Sequence, residues 1–398
     1  MNIKNDKTPV FIVGIPRSGT TLLAAMLAAH KRLSCGPETR FFRLLAKTHP
    51  HELFKSWPDH AVNFLFNITL VKSVPEHYGL TKDQLNSYLL NRETSIPVIL
   101  SSLTEQYMKR EGKDRWVEKS PEHILFVDDI RKYFPQSPII RILRDPRDTV
   151  LSMIKTPWAP HDFVAALFYW RNFDEKSSHF FQSDDKCYTL FYEDLVHSPE
   201  TEIKKLCEFI GEEYQPQMLI TQHSAANVAT KDEPWKRLVF HDLDSSRASV
   251  WKREFKDGQN RIAEALIGDR ITAYGYERVE SFQRTASIFP SVKSLKKYRR
   301  SLAYFVEDGN QFWGNAQDVK NQTLIFVGEP DRDKWLSYQK PGRWWDTLHI
   351  INKIVKGRLA HQHIYWVQDQ DFPAKLGFCS RILAIVFRFT EEGQVNLD

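Results

Sequence analysis

The sequence predicts an α/β fold of the P-loop type. A mainly parallel sheet carries helices on both faces, and a small α+β region follows at the C-terminal end. Three observations predict it. Short apolar runs, VFIV at 10–13, SPIIRIL at 137–143 and KCYTLF at 186–191, alternate with longer stretches of helical period. Strands separated by helices need crossover connections, and crossovers make parallel sheets. The first apolar run ends in a Gly-containing turn, GIPRSGTT, that opens a helix, an arrangement suited to binding phosphate-like anions.

In chain order, Val10 to Val13 is short and apolar enough to be a strand buried on both faces. Leu22 to His30 is an Ala-rich, nearly uncharged helix. Cys35-Gly36-Pro37 reads as a turn, with Glu38 just after it and a helix from Thr39 to Lys47. Residues from about 49 to 112 form a helical insert between the first and second strands, broken at Pro58, Pro75 and Pro97. RWVE (115–118) is the second strand, followed by Lys119 and by helical periodicity from Glu122 to Tyr133. After SPIIRIL comes a charged turn, Arg144-Asp145-Pro146-Arg147-Asp148, with Pro146 in the first turn of a helix running through Ser152. His161 to Ser183 is a long aromatic amphipathic helix. Tyr192 closes the strand at 186–191, and Ser198 opens a helix to about Ile210. Gln215 to Asp244 lacks periodicity and reads as a long loop, which in a compact domain points to function or disorder. Helices at about 248–255 and 259–273 follow.

The C-terminal 286–398 forms an accessory region of unknown role beside a main domain at 1–285. It holds a basic stretch, SVKSLKKYRR (291–300), strand-like LAYFVED (302–308) and TLIFVGE (323–329), a Trp-rich GRWWDTLHIINKIV (342–355) and an apolar run from Cys379 to Phe389. With 398 residues, 42% of them hydrophobic, the chain can bury a large core. Its net charge of +5, from 55 basic and 50 acidic residues, suits anionic ligands but is too weak to argue for nucleic acid. The four cysteines, Cys35, Cys187, Cys207 and Cys379, are scattered without metal-binding spacing, which suits free thiols in the cytoplasm; no metal site is expected. No export signal and no apolar run of about 18 residues is visible, so no transmembrane segment is expected.

Candidate chemistry gathers at strand ends, where sheets of this kind place ligands. Arg17 lies in the first loop, Lys119 after the second strand, Arg144 after the next with Ser152 two turns on, and Tyr192 after the last. Three cations at one sheet edge suit a ligand with several anionic groups, although the 144–148 cluster could instead pair internally. The loop brackets four residues between Gly14 and Gly19, as a nucleotide-hydrolysing loop does. Thr20, however, stands where such a loop needs its lysine.

The stretch IPRSGTTLL resembles the 5′-phosphosulfate loop of sulfotransferases that use 3′-phosphoadenosine 5′-phosphosulfate (PAPS). Arg144 and Ser152 in RDPRDTVLS match that family's second motif, which holds the 3′-phosphate. CGPETR resembles the tyrosylprotein sulfotransferase branch in particular. The resemblance, covering about Thr8 to Gly275, implies roles. Arg17, Ser18, Gly19, Thr20, Thr21, Arg144, Ser152, Tyr192, Ser246 and Arg247 would bind the nucleotide. Glu38 would be the catalytic base and Lys119 a catalytic lysine, with Arg17 also serving the transfer. Asp145 and His123 are alternative bases, and a Glu38 that merely favours a helix dipole is the structural alternative. The implied partner is a hydroxyl-bearing acceptor, a protein tyrosine, a carbohydrate or a small molecule, and a homodimer is left open. Two other readings compete: a divergent P-loop kinase or nucleotide hydrolase, and a non-catalytic nucleotide-binding scaffold.

Overall fold

The computed structural model describes residues 8–68, 72–159, 163–229 and 233–279, together with five short strands between 322 and 397. The chain divides into two units, Met1–Ser152 with Trp170–Arg253, and Met153–Tyr169 with Glu254–Asp398.

The first unit is built on a five-stranded sheet. Its strands are β1 (Val10–Val13), β2 (Leu33–Cys35), β3 (Arg115–Lys119), β4 (Ile139–Leu143) and β5 (Cys187–Phe191), in the order β2-β3-β1-β4-β5. Every pairing is parallel. The chain leaves β1 for one side of the sheet, then crosses from β3 over β1 to β4. The loop after β1 therefore opens at a point where the strand order reverses, the place where α/β sheets bind ligands.

Both faces are covered: β1, β2, β3 and β4 bury all their side chains, while the edge strand β5 is largely half-buried. On one face, Val10 and Ile12 join Leu23 and Leu27 of α1 (Thr20–Ala28) in a continuous core. On the other, the Phe11 ring packs against Phe42, Trp116 and Phe134, at centroid distances of 6.3, 5.8 and 5.1 Å. Emptying a site of this kind, as in Phe11→Ala, costs about 3–5 kcal/mol. Phe42 belongs to α2 (Phe41–Leu45). The segment after α2 is helical, with α3 (Pro50–Phe54), α4 (Asp59–Phe66), α5 (Val74–His77), α6 (Lys82–Leu90) and α7 (Ile96–Arg110). A 3₁₀ helix, Pro121–Phe126, and α8 (Val127–Tyr133) join β3 to β4. After β4 come α9 (Pro146–Met153), α10 (Phe163–Ser177), which carries residues of both units, and α11 (Phe180–Ser183). Then α12 (Tyr192–His197), α13 (Pro199–Ile210), α14 (Ala225–Val228) and α15 (Trp251–Glu254) follow β5.

The structure corrects several expectations. Leu33–Cys35 is an edge strand paired with Arg115–Val117, so the turn proper is shorter than expected and the helical insert lies between β2 and β3. Three residues are too few to display an alternation, and the pairing partner lies about eighty residues away. The long helix expected over 161–183 ends at Ser177 and resumes as the separate α11. Gln215 to Asp244 is not one irregular loop: it contains 3₁₀ helices Pro216–Leu219 and Pro234–Phe240 as well as α14. These short turns anchor by one or two buried side chains each, Met218, Ala225 with Val228, and Lys236 with Val239, too few to show a period.

In the second unit, α16 (Asp257–Ala273) precedes a three-stranded antiparallel sheet of β6 (Gln322–Val327), β7 (Trp335–Gln339) and β8 (Ile364–Trp366), with β6 central. A separate antiparallel pair is formed by β9 (Phe387–Phe389) and β10 (Val395–Leu397). The basic stretch 291–300, LAYFVED, the Trp-rich segment and Cys379 lie outside the described residues.

Candidate active site

The turn from Gly14 to Thr21 is tightly constrained. A Cβ at Gly14 would stand 2.8 Å from Ser18 Oγ and 2.9 Å from the Ile142 carbonyl. Gly19 has φ +109°, and a Cβ there would fall 2.5 Å from the Tyr192 ring. Only glycine supplies both the conformation and the space at position 19. Arg17 also sits at positive φ, 79°, unusual for a residue with a side chain. Gly19 caps α1, whose first turn has no acidic side chain and no side-chain cap, so its amide groups and Thr20 and Thr21 stand at the loop's inner end.

Arg17 Nε donates to Ser152 Oγ at 3.1 Å and Nη2 to the Trp235 carbonyl at 2.9 Å. Burial, and then the neighbouring Arg144, lower its pKa to about 10, so it remains cationic at neutral pH. Arg144 lies beside it: Nη1 is 3.5 Å from the Arg17 carbonyl, Nη2 donates to the Arg247 carbonyl at 2.7 Å, and the guanidinium sits 4.6 Å from the Tyr192 ring centre. Ser18 Oγ and Arg144 Nε are buried with no hydrogen-bond partner among the described residues. Buried polar atoms of this kind are costly unless something satisfies them. An anion at this loop would do so.

Asp145 and Arg147 of the 144–148 cluster pair with each other, while Asp148 accepts from the Trp251 amide. Asp145 takes Arg147 in a fork, with Nε and Nη2 at 2.9 and 2.7 Å, and Arg147 stacks on Trp251 at 3.5 Å. Arg144 is left the more loosely held, 3.7 Å from Asp148.

Glu38 lies beyond the C-terminal end of β2, so the strand missing from the sequence reading is the one that delivers it. Its Oε1 accepts from Lys119 Nζ at 2.6 Å and from Lys236 Nζ at 2.7 Å, and Oε2 is 3.7 Å from Arg40. Lys119 is the last residue of β3 and fully buried. Burial by itself would raise the Glu38 pKa. Lys119, Lys236 and Arg40 more than offset it and hold the carboxylate well below its usual range. The lysines divide: at Lys119 burial, the largest single influence, is outweighed by Glu38 and Glu233 together and the pKa rises, whereas at Lys236 burial, with Lys119 adding, prevails and lowers it.

The turn bearing Glu38 is held from below by a buried network. Thr39 and Ser120 hydroxyls donate to Glu118 Oε1 at 2.7 and 2.6 Å, and His123 Nδ1 lies 2.9 Å from Oε2. The Phe42 amide donates to His123 Nε2 at 3.3 Å, which makes Nδ1 the protonated nitrogen. Tyr78, just past α5, donates to the Pro37 carbonyl at 2.7 Å, and its ring occupies the space a Cβ of Gly36 would need.

The expected residues are thus brought together: Arg17, Ser18, Gly19, Thr20 and Thr21 in one turn, with Arg144, Ser152 and Tyr192 against it, and Glu38 with Lys119. Ser246 and Arg247 meet it differently. The Ser246 hydroxyl and the half-exposed Arg247 guanidinium both turn to Asp244, at 2.6 and 3.3 Å, and only the Arg247 backbone reaches Arg144. The alternative bases are committed elsewhere, His123 in the Glu118 network and Asp145 to Arg147. Lys236 was missed. It sits in a segment without periodicity, 198 residues from Glu38, and no local pattern could announce the contact.

The model of the sulfotransferase family matches residues 9–216, and the chain belongs to that family. It is 28% identical over 226 residues to a putative protein-tyrosine sulfotransferase of Caenorhabditis briggsae, covering 54% of this chain and 70% of that one. It is 29% identical over 214 residues to protein-tyrosine sulfotransferase 1 of Danio rerio, covering 52% and 54%. A longer match, 23% identical over 322 residues, runs to the nodulation protein NoeE of Sinorhizobium fredii, covering 73% and 71%. The chain spans about half the length of several of the protein-tyrosine sulfotransferases it matches. No helix among the described residues is long and apolar enough to cross a membrane.

Proposed function

We propose that the protein transfers the sulfuryl group of PAPS to a hydroxyl acceptor by in-line displacement, with Glu38 as the base. PAPS supplies the activated sulfuryl group. The observation that carries the reading is the pairing of two unlike half-sites at one sheet edge: the Arg17 loop with Arg144, whose Ser18 Oγ and Arg144 Nε have no partner among the described residues, and the ionised Glu38 beside Lys119.

Sulfuryl transfer spreads charge over oxygens in the transition state, so the protein's task is positioning and electrostatic stabilisation. The amides from Ser18 to Thr21, with the Thr20 and Thr21 hydroxyls, would hold the 5′-phosphate. Arg144 and Ser152 would hold the 3′-phosphate. In the structure Ser152 is also the partner of Arg17, so donor binding on this scheme exchanges that contact. Arg17 and Lys119 would meet the charge developing on the bridging oxygen. Glu38 would accept the acceptor's proton at Oε1 or Oε2. A carboxylate held this far down is ionised at every physiological pH, which a base requires, but is weakly basic. Proton transfer would then run late, as the sulfur–oxygen bond forms and acidifies the hydroxyl.

A protein tyrosine is the acceptor the relatives' names favour, and the buried thiols Cys35 and Cys207 fit a reducing compartment such as the cytoplasm. Calorimetry with adenosine 3′,5′-bisphosphate, followed by transfer of labelled sulfate from PAPS to tyrosyl peptides, sugars and phenols, tests the reading. Absence of both binding and transfer overturns it. Phosphate release from ATP with no response to PAPS would favour the kinase-like alternative.

A further inference from the structure

We propose that Lys236 is a positioning residue for the transfer step, pairing with and aiming Glu38 from a turn that also holds Arg17. The inference rests on the assignment of Glu38 as the base.

Two contacts on adjacent residues carry it. The 3₁₀ helix Pro234–Phe240 presents the Trp235 carbonyl to Arg17 Nη2 at 2.9 Å and the Lys236 ammonium to Glu38 Oε1 at 2.7 Å. One short segment thus ties the anion-loop arginine to the acceptor-side carboxylate, which otherwise belong to different strands. Lys236 is itself buried and steered by Glu233, whose Oε1 lies 2.6 Å from Nζ. A buried ammonium is retained only where a partner compensates its lost hydration, and here that partner is the base.

The charged and titratable groups facing Glu38 come from every neighbouring element. They are Lys119 from β3, Lys236 and Glu233 from the 3₁₀ helix, Arg40 from its own turn, Arg17 from the anion loop and Tyr78 from the insert. Lys119 and Lys236 share the same oxygen, so an acceptor hydroxyl approaching Oε1 must displace one of them or use Oε2. Lys119 is rooted in the sheet. Lys236 sits on the surface segment whose neighbour contacts Arg17, and it is the one able to withdraw when Arg17 turns to a bound donor. On this scheme Lys236 keeps Glu38 ionised and aligned before the donor arrives and releases it afterwards.

The test compares the pH dependence of kcat and KM in wild type, Lys236→Met and Lys236→Arg, using PAPS and whichever acceptor the wild type sulfates. An opposite charge this close lowers a carboxylate pKa by about 1–3 units, so its removal moves the acidic limb of the kcat/KM profile for PAPS, which reports the donor-free enzyme, up by about one unit or more. Lys236→Arg restores the wild-type limb. A Lys236→Met enzyme with reduced activity but an unmoved limb overturns the proposal, since a merely structural lysine gives that result. Should Lys236→Met fail to fold, Lys236→Gln replaces it; failure of both makes the residue structural and equally overturns it. A wild type that neither binds adenosine 3′,5′-bisphosphate nor transfers sulfate defeats the functional reading instead, and the two failures are told apart by that binding measurement.

Discussion

The two halves of the site are built on opposite principles. The anion loop, Gly14 to Thr21, leaves polar groups unsatisfied: among the described residues Ser18 Oγ and Arg144 Nε have no hydrogen-bond partner, and the first turn of α1 has no side-chain cap. The turn bearing Glu38 is saturated, with one carboxylate held by two ammoniums and a second, Glu118, by two hydroxyls and an imidazole. The first half stores its binding capacity as unmade hydrogen bonds, which a ligand can make. The second stores it as ion pairs, which an acceptor must exchange. The donor half should therefore tolerate little loss of charge, and the acceptor half should respond to pH and to changes in its supports.

Arg17→Ala is the sharpest test of the donor half. Removing one preorganised donor from a developing oxyanion costs about 10²–10³ in rate. Arg17 lies beside Arg144 as well, so transfer of labelled sulfate should fall by at least that much. Near wild-type turnover would break the contrast.

Glu38→Gln probes the other half and should act differently. It keeps the shape but removes the base, and turnover should drop by about 10²–10⁴ while affinity for adenosine 3′,5′-bisphosphate stays near wild type. A large loss of affinity would make Glu38 part of the donor half. The same variant tests stability against pH. The folded-state pKa of Glu38 lies well below its ordinary 4.5, so the unfolded chain takes up the proton first as pH falls. The stabilisation is complete above about pH 4.5 and is lost on descending toward the folded value. Thermal midpoints measured from pH 6 to pH 3 should fall more steeply for wild type than for Glu38→Gln. Parallel curves would mean the ion pairs contribute nothing.

How much of this was legible in the sequence follows from the same division. The donor half is nearly contiguous: strand, turn and helix lie within twenty residues, and Arg144 and Ser152 within nine, so short local motifs, read by spacing and by their likeness to a known family, exposed them. Lys119 and Tyr192 were visible because one ends a strand and the other follows one directly. The acceptor half was only half visible. Glu38 was found by its likeness to a known motif, while β2, which positions it, was too short to read. Lys236 was hidden because its partner is 198 residues away and its own segment follows no period. Ser246 and Arg247 were placed in the right neighbourhood, but local pairing with Asp244 claims both side chains, a contact between near neighbours that a motif match does not see.

Gly19→Ala separates shape from charge in the donor half. The added methyl must enter the Tyr192 ring at 2.5 Å, on a backbone at φ +109°. Strained backbone of this kind costs about 1–3 kcal/mol, and the loop's amides would be displaced with it. A lower unfolding midpoint together with weaker nucleotide binding is expected. Unchanged binding would show that the loop's geometry is not what recognises the anion.

The smallest effect belongs to the support of the acceptor half. Tyr78→Phe deletes one hydroxyl, leaving the Pro37 carbonyl without its donor at 2.7 Å while the ring still fills the space beside Gly36. An unsatisfied buried acceptor costs about 1–3 kcal/mol if no water replaces the donor, and the turn carrying Glu38 is the segment free to relax. Stability should fall within that range. Turnover should fall severalfold with KM for PAPS unchanged, because the hydroxyl removed is the one that donates to the acceptor-side turn, at the Pro37 carbonyl. A rise in the KM for PAPS would mean that strain passes from Pro37 to the Arg17 loop. The two halves would then be mechanically one, with the 3₁₀ helix carrying Trp235 and Lys236 as the connection to examine next.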